Sequence, residues 1–151
     1  MTEPRRGARR FAGIDIGTLT CRLLIADLTP GQPLQEVRSD RRILCLGEGV
    51  DQTKRLSPVA MDRVVHCLQE WRNLIISNRV DAIVVVATSA VRDAVNRSEF
   101  FERVKRESGF DVEVISGEEE ARRTLLGIRS GLPIEVTARC PRPMCRRRSA
   151  R

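Results

Sequence analysis

Short apolar runs separated by turn residues fill the first third of the chain. Residues 11–16 and 21–28 form two such runs, and Gly17 opens the turn between them. Residues 34–46 form a third, less clear run that contains the pair Arg41-Arg42 and ends at Gly47. Runs of this length between turn residues are typical of β-strands. We therefore predict three successive strands, the first two joined as a hairpin.

The pattern then changes to the period of a helix. Ser57 suits an N-cap because its hydroxyl can accept a backbone hydrogen bond, and Pro58 is tolerated at the first helical position. The apolar residues that follow recur at steps of three and four: Met61, Val64, Leu68, Trp71 and Ile75. This spacing predicts one helix with a single apolar stripe.

The second half alternates between strand and helix patterns. Residues 81–87 are almost wholly apolar and β-branched, which predicts a strand buried on both faces. Residues 112–115 predict a further short strand. Two pairs of residues have the spacing of a capping box and predict helix starts: Asn96 with Glu99, and Ser116 with Glu119. The first of these helices should end at Gly109 and the second near Arg129.

This alternation predicts an α/β domain with a mixed sheet flanked by helices, over residues 11–133. Residues 1–10 form a basic tail, and residues 134–151 hold Arg, Pro, Cys and Met without periodicity. The second segment is expected to be a disordered or out-of-frame tail.

The formal net charge of +7 is concentrated in those two tails. Removing +3 for residues 1–10 and +6 for residues 136–151 leaves −2 for residues 11–135. Basic tails can bind nucleic acid through phosphate contacts, but no aromatic residues interleave with these arginines. We therefore expect solvated tails and no specific nucleic-acid partner. A nucleic-acid binder remains an alternative, with salt-dependent affinity that is lost on deleting residues 137–151.

The cysteine pattern argues against a zinc site, and the lack of a long apolar run argues against a membrane-spanning protein. The five cysteines have no paired metal spacing, and His66 is the sole histidine, so a zinc site would lack ligands. An odd number of cysteines favours free thiols. No apolar run is long enough to cross a bilayer. We predict a cytoplasmic protein without a membrane partner.

The first candidate motif joins the first two strands, over residues 14–22. An aspartate at a strand end, Asp15, stands beside the turn residues Gly17, Thr18 and Thr20. The carboxylate could hold Mg²⁺, and the turn amides and hydroxyls could donate to phosphate oxygens. An ordinary hairpin turn with a hydrogen-bonded aspartate is the alternative.

The second motif follows the apolar strand of residues 81–87. Thr88 and Ser89 stand at its carboxyl end, and Arg92 comes one helical turn later. Ligands bind beyond the carboxyl ends of strands in α/β sheets, and an arginine can bind a phosphate through two parallel hydrogen bonds. The alternative is an N-cap at Thr88 or Ser89 with Arg92 paired to Asp93 on the surface.

The third motif is a run of carboxylates at the start of the last predicted helix. Glu118, Glu119 and Glu120 all suit the helix dipole, so they could serve stability alone. Glu119 points away from the apolar face of the residues spaced along that helix, Ala121, Leu125 and Ile128. Glu118 and Glu120 flank that face, and either could act as a general base for water.

The three motifs in this order resemble the family of exopolyphosphatases and guanosine pentaphosphate phosphohydrolases, over about residues 11–132. The resemblance implies the first half of an actin-like, ribonuclease-H-like ATPase fold. It also implies Mg²⁺-dependent release of terminal phosphate from polyphosphate or guanosine pentaphosphate. In that family the glutamate before the alanine is the base, which selects Glu120. Arg92 matches the phosphate-contacting arginine, and Asp15 matches the aspartate of the first phosphate loop.

Two departures from the family pattern limit what is expected of the chain. The family's first loop usually reads Gly-Ser-Asn-Ser, whereas Leu19 here replaces the amide side chain. The family's second loop, Asp-Ile-Gly-Gly-Gly-Ser, has no counterpart after residues 131–133. We therefore expect a truncated chain that lacks its second domain and hydrolyses little by itself. The alternative is a degenerate phosphate- or nucleotide-binding module without catalysis. The face that meets the second domain in the family should then be exposed and promote association, with a homodimer as one result.

Overall fold

Three consecutive strands and two later ones form a mixed sheet in residues 8–131, the part of the chain that the computed structural model describes. The strands are β1 (Arg9–Ile16), β2 (Thr20–Leu28), β3 (Gln35–Ile43), β4 (Ala82–Ala87) and β5 (Glu113–Val114). The helices are α1 (Val50–Thr53), α2 (Pro58–Ser77), α3 (Ser89–Asp93), α4 (Arg97–Ser108) and α5 (Gly117–Gly131). The strand order is β3-β2-β1-β4-β5; β1, β4 and β5 are parallel, and β2 runs antiparallel to both β1 and β3. The predicted α/β fold with a mixed sheet is confirmed.

The core lies between the sheet and α2. Every residue of the predicted apolar stripe of α2 is buried: Met61, Val64, Leu68, Trp71 and Ile75. From β1, Ala12, Ile14 and Ile16 belong to the same hydrophobic cluster, as do Phe100 and Val104 of α4. Burying a large apolar side chain contributes about 1.5–3 kcal/mol. The Ser57 hydroxyl accepts the Ala60 N–H at 3.2 Å, which confirms the predicted N-cap.

The prediction that β4 is buried on both faces is wrong. Val85 and Ala87 are buried, whereas Ile83 and Val84 expose 41% and 52% of their surface. Val84 pairs in register with Gly13, which also pairs with Leu24, so the three form a continuous strip across the sheet. Within residues 8–131 this face is not fully covered, since the helices α2 and α4 provide the core of the opposite face.

Both helices begin where the capping boxes predict, α4 directly after Asn96 and α5 directly after Ser116, but the side-chain bonds of the boxes are only partly present. The Asn96 side chain caps nothing, because its carboxamide bonds both backbone groups of Leu56 instead. The side-chain bonds of the first box are therefore absent, while α4 ends before Gly109, as predicted, with a φ of 76° at that glycine. The Ser116 hydroxyl accepts the Glu119 N–H at 3.1 Å, as predicted. The Glu119 carboxylate instead accepts hydrogen bonds from two arginines of its own helix.

The predicted tails mostly lie outside the described residues. Arg9 and Arg10, assigned to the basic tail, are the first two residues of β1. Residues 1–7 and 134–151 are beyond the described part, as are Cys140 and Cys145. The three cysteines within it are free thiols: Cys21, Cys45 and Cys67. None of the helices in residues 8–131 has the length and apolarity needed to cross a membrane.

Candidate active site

The three candidate motifs follow three neighbouring parallel strands. Residue 17 follows β1, residue 88 follows β4, and residue 116 lies two positions after β5. Because these strands are parallel and adjacent, their carboxyl ends lie at one edge of the sheet. In open α/β sheets this is the edge where ligands bind.

The first turn has a tight backbone that depends on Gly17. Its N–H donates to the Thr20 carbonyl oxygen at 3.0 Å. A Cβ at position 17 would lie 2.8 Å from the same oxygen, which is too close for an alanine without a backbone shift. Thr18 and Thr20 are half-buried at the two sides of the turn, while Leu19 exposes 64% of its surface. The loop therefore presents an apolar side chain where the family pattern has an amide.

A direct hydrogen bond joins the first turn to the second motif. The Thr18 and Ser89 hydroxyl oxygens are 2.8 Å apart, although 71 positions separate the residues. Thr88 is buried, and its backbone N–H donates to the Ile16 carbonyl at 3.2 Å. Thr88 occupies the N-cap position of α3, as the alternative interpretation has it, but its side chain makes no cap hydrogen bond.

Arg92 connects the second motif to the third. Its Nη1 donates to the Ile115 carbonyl at 3.0 Å and lies 4.0 Å from the Glu120 Oε2. Its Nε lies 3.7 Å from the Asp93 carboxylate. The predicted surface pair with Asp93 is thus present, but the guanidinium also reaches the start of α5. About a third of the side chain is exposed (32%), so it is held in place yet accessible to a ligand.

The three acids at the start of α5 have different surroundings. Hydrogen bonds from Arg122 and Arg123 lower the pKa of the Glu119 carboxyl to about 2, so its carboxylate is fixed in ion pairs. Glu118 is exposed. The Glu120 carboxylate lies 4.0 Å from the Arg92 Nη1, and 42% of the Glu120 side chain remains exposed.

The apolar face of α5 does not face the core in this structure. Leu125 and Leu126 expose 58% and 48% of their surface, and Ala121 is exposed as well. The side of the helix nearest β5 carries Arg123, whose guanidinium pairs with the Glu113 carboxylate at 3.3 Å. Glu119 therefore does point away from Ala121, as predicted, but it lies on the side of α5 that faces β5, where it shares Arg123 with Glu113. The side chain of Ile128 lies outside the described residues.

Asp15 has an unsatisfied buried oxygen at this edge. Its Oδ1 has no hydrogen-bond partner in the described structure. Burial raises the pKa of the Asp15 carboxyl, the nearby positive charge of Arg22 lowers it, and the negative charge of Glu120 raises it. The negative charge of Glu120 thus opposes ionisation of the Asp15 carboxyl. An unpartnered carboxylate oxygen in the field of a second carboxylate is suited to a hard divalent cation.

The donor set fits Mg²⁺ bound together with a phosphate ligand. No group of three or more His, Cys, Asp and Glu side chains in residues 8–131 could hold a metal by itself. Mg²⁺ in phosphoryl-transfer sites commonly takes one or two carboxylates and completes its shell with water and substrate phosphate. Asp15, with Glu120 nearby, matches that smaller requirement.

One residue at this edge was not singled out from the sequence. Gly47 donates its N–H to the Thr18 carbonyl at 2.9 Å and lies directly against the Thr18 side chain. The available signal was a glycine at the end of an apolar run, which was interpreted only as the end of a strand.

Comparison with known proteins identifies the family. A sequence model of the Ppx/GppA phosphatase family matches residues 24–139. Exopolyphosphatase 2 of Mycobacterium tuberculosis is 40% identical over 126 residues, which cover 78% of this chain and 40% of that protein. Exopolyphosphatase 1 of Mycobacterium bovis is 31% identical and is covered to 35% of its length. This chain therefore spans less than half the length of these relatives.

Solved structures give the same result. The Aquifex aeolicus member of the Ppx/GppA family is 40% identical, with a TM-score of 0.77 over 83% of this chain and 40% of the other. An exopolyphosphatase from Cytophaga hutchinsonii is 31% identical, with a TM-score of 0.78 over 84% and 40%. The sheet and helices described above are the first half of the actin-like ATPase fold that these proteins share. The chain belongs to the Ppx/GppA phosphatase family.

Proposed function

We propose that this chain is the N-terminal domain of a phosphohydrolase that releases terminal phosphate from inorganic polyphosphate or guanosine pentaphosphate. One observation carries the proposal. Hydroxyl, guanidinium and carboxylate groups from three separate motifs are linked in series along one sheet edge, by the Thr18–Ser89 hydrogen bond and the Arg92–Glu120 contact. The relatives named exopolyphosphatase favour polyphosphate as the substrate.

The phosphate-binding groups come from the first two motifs. The hydroxyls of Thr18, Thr20 and Ser89 and the backbone around Gly17 would donate to phosphate oxygens, with Thr88 supporting the turn from inside. Arg92 would contribute its remaining N–H groups and its positive charge. Because Arg92 is already fixed by the Ile115 carbonyl, little side-chain freedom is lost when a phosphate binds.

Glu120 is the proposed general base. Its carboxylate would accept a proton from a water molecule as that water attacks the terminal phosphorus. The adjacent Arg92 charge would hold the phosphate next to that water. Asp15, with Glu120 nearby, would hold Mg²⁺, which would supply neutralisation of phosphate charge. The alternative is a phosphate- or nucleotide-binding module without catalysis, which would bind through the same groups but would show no turnover.

A chimaera with the rest of a relative tests the role of Glu120. Residues 1–131 of this chain are fused to the remaining part of the M. tuberculosis exopolyphosphatase 2, and phosphate release from polyphosphate is measured with Mg²⁺. We expect turnover that Glu120→Gln lowers at least about 100-fold in kcat, since general bases contribute about 10²–10⁴-fold. Glu118→Gln, the exposed acid of the same helical turn, is the matched control and should change kcat less than threefold.

The 151-residue chain is assayed beside the chimaera. We expect negligible phosphate release from it, because phosphoryl transfer depends on positioning and charge neutralisation that one domain provides only in part. A chimaera whose kcat is insensitive to Glu120→Gln would contradict the assignment of the base. Clear turnover by the 151-residue chain, lost with Glu120→Gln, would show instead that one domain suffices.

A further inference from the structure

The segment between β3 and α2, residues 44–56, includes α1 and contacts both the first turn and the second motif. At its start, the N–H groups of residues 44 and 45 both donate to the Leu19 carbonyl at 2.9 Å, and the Gly47 N–H donates to the Thr18 carbonyl at 2.9 Å. At its end, the Lys54 carbonyl accepts the Val95 N–H at 2.8 Å. Residues 44–56 therefore hold the first turn and the segment after α3 from one side.

The closest approach in this arrangement is between Gly47 and Thr18. A Cβ at position 47 would overlap the Thr18 Cγ2 methyl and would lie 3.2 Å from the Ala90 Cβ. The φ of Gly47 is not among the positive values found at Gly31, Gly49 and Gly109, so its backbone alone does not demand glycine. The space that glycine leaves is occupied by the threonine methyl.

That methyl determines where the Thr18 hydroxyl points. The hydroxyl and the methyl occupy two of the three staggered positions on the same Cβ, so one cannot move to another position without the other. With the methyl against Gly47, the Oγ1 lies 2.8 Å from the Ser89 Oγ. The two hydroxyls have two hydrogens, and the bond between them uses one. The other remains available to donate to an anion.

We infer that Gly47 is a positioning residue for phosphate binding: it fixes the χ1 angle of Thr18 so that the Thr18–Ser89 hydroxyl pair presents one O–H to a phosphate oxygen. This inference rests on the proposed function. It assigns to a residue outside the three motifs the task of aligning two of them. It also explains how a threonine, rather than a serine, can hold a single hydroxyl orientation in this turn.

The test combines a rotamer measurement with anion binding on the 151-residue chain. Three-bond couplings from the Thr18 methyl carbon to the backbone nitrogen and carbonyl carbon report χ1 directly. The affinity for tripolyphosphate with Mg²⁺ is measured by NMR titration. We expect Gly47→Ala to change the χ1 of Thr18 and to weaken tripolyphosphate binding about tenfold, as for one lost hydrogen bond to a charged group. Gly13→Ala is the matched control, since a Cβ there meets nothing within 4 Å.

Rescue distinguishes positioning from general damage. Thr18→Ser removes the methyl and keeps the hydroxyl, so Gly47→Ala added to Thr18→Ser should bind within about threefold of Thr18→Ser alone. The inference is overturned if Gly47→Ala leaves χ1 and affinity unchanged, or if the double variant binds as weakly as Gly47→Ala. Absence of any tripolyphosphate response in the unmodified chain would count against the proposed function, whereas the χ1 of Thr18 in Gly47→Ala would still decide whether Gly47 sets the rotamer.

Discussion

Replacing Asp15 with asparagine should stabilise the isolated chain at neutral pH. The Asp15 Oδ1 is buried without a hydrogen-bond partner in the described structure. Arg22 attracts this carboxylate and Glu120 repels it, but burial has the largest effect on its pKa and disfavours the charged form. Leaving a buried polar group unsatisfied costs about 1–3 kcal/mol, and more when the group is charged. Asparagine keeps a polar atom there but removes the charge, so we expect a gain near the lower end, about 1 kcal/mol, or about 4 °C in Tm.

The gain should depend on pH in a defined direction. Burial raises the pKa of Asp15 in the folded state, so the folded protein holds this proton more tightly than the unfolded chain does. Below its pKa in the unfolded chain, about 3.9, Asp15 is protonated in both states and does not destabilise the fold. It becomes destabilising as the pH rises through its raised pKa in the folded state. The advantage of Asp15→Asn should be full at pH 7 and should disappear toward pH 3.5.

Thermal unfolding followed by circular dichroism at pH 7 and pH 3.5 provides the measurement. Glu102→Gln, an exposed acid in α4, makes the same charge change and controls for net charge. The reasoning would be refuted if Asp15→Asn lowered Tm at pH 7, or if its gain equalled that of the control. Either outcome would mean that the buried oxygen is satisfied in solution and that Asp15 carries no intrinsic cost in the absence of a cation.

Two further predictions concern the rest of the described structure. Asn96→Ala should lower the free energy of unfolding by about 2–4 kcal/mol in urea titrations, because both backbone groups of Leu56 lose their buried partner. As a control, Asn73→Ala, at an exposed position of α2, should change the free energy of unfolding by less than about 0.5 kcal/mol. Iodoacetamide at pH 8 should modify Cys45 before Cys21 and Cys67, since burial raises the pKa of those two thiols to about 12 and about 11. Peptide mass mapping checks the order, and equal rates at Cys67 and Cys45 would contradict it.

The hydrophobic periodicity was sufficient to predict which residues are buried in an element that has a single apolar face. The stripe on α2 was predicted residue by residue, because a helix with one apolar face can bury only that face. The burial of β4 could not be predicted in the same way. A continuous apolar strand shows that both faces can be covered, but whether a second layer covers them depends on parts of the chain far from the strand.

The same limit applies to polar side chains with distant partners. Asn96 has the spacing of an N-cap, yet its carboxamide bonds Leu56, which lies 40 positions earlier. Sequence spacing also left Glu118 and Glu120 as equal candidates. The difference between them, a contact with Arg92, depends on how the start of α5 meets α3, and no pattern within α5 contains that information. The roles assigned to the site residues remain predictions.

The pairing of β1 has a consequence for synthesis of the chain. One edge of β1 pairs with β2 directly after it, whereas the other edge pairs with β4, whose first residue is Ala82. At about 5–20 residues per second, a ribosome needs several seconds to translate from one partner to the other. Throughout that interval the β1 edge is an unpaired template that can bind a strand of another nascent chain. Slow translation of the α2 coding region should therefore increase misassembly, and faster translation there should improve the yield of folded protein.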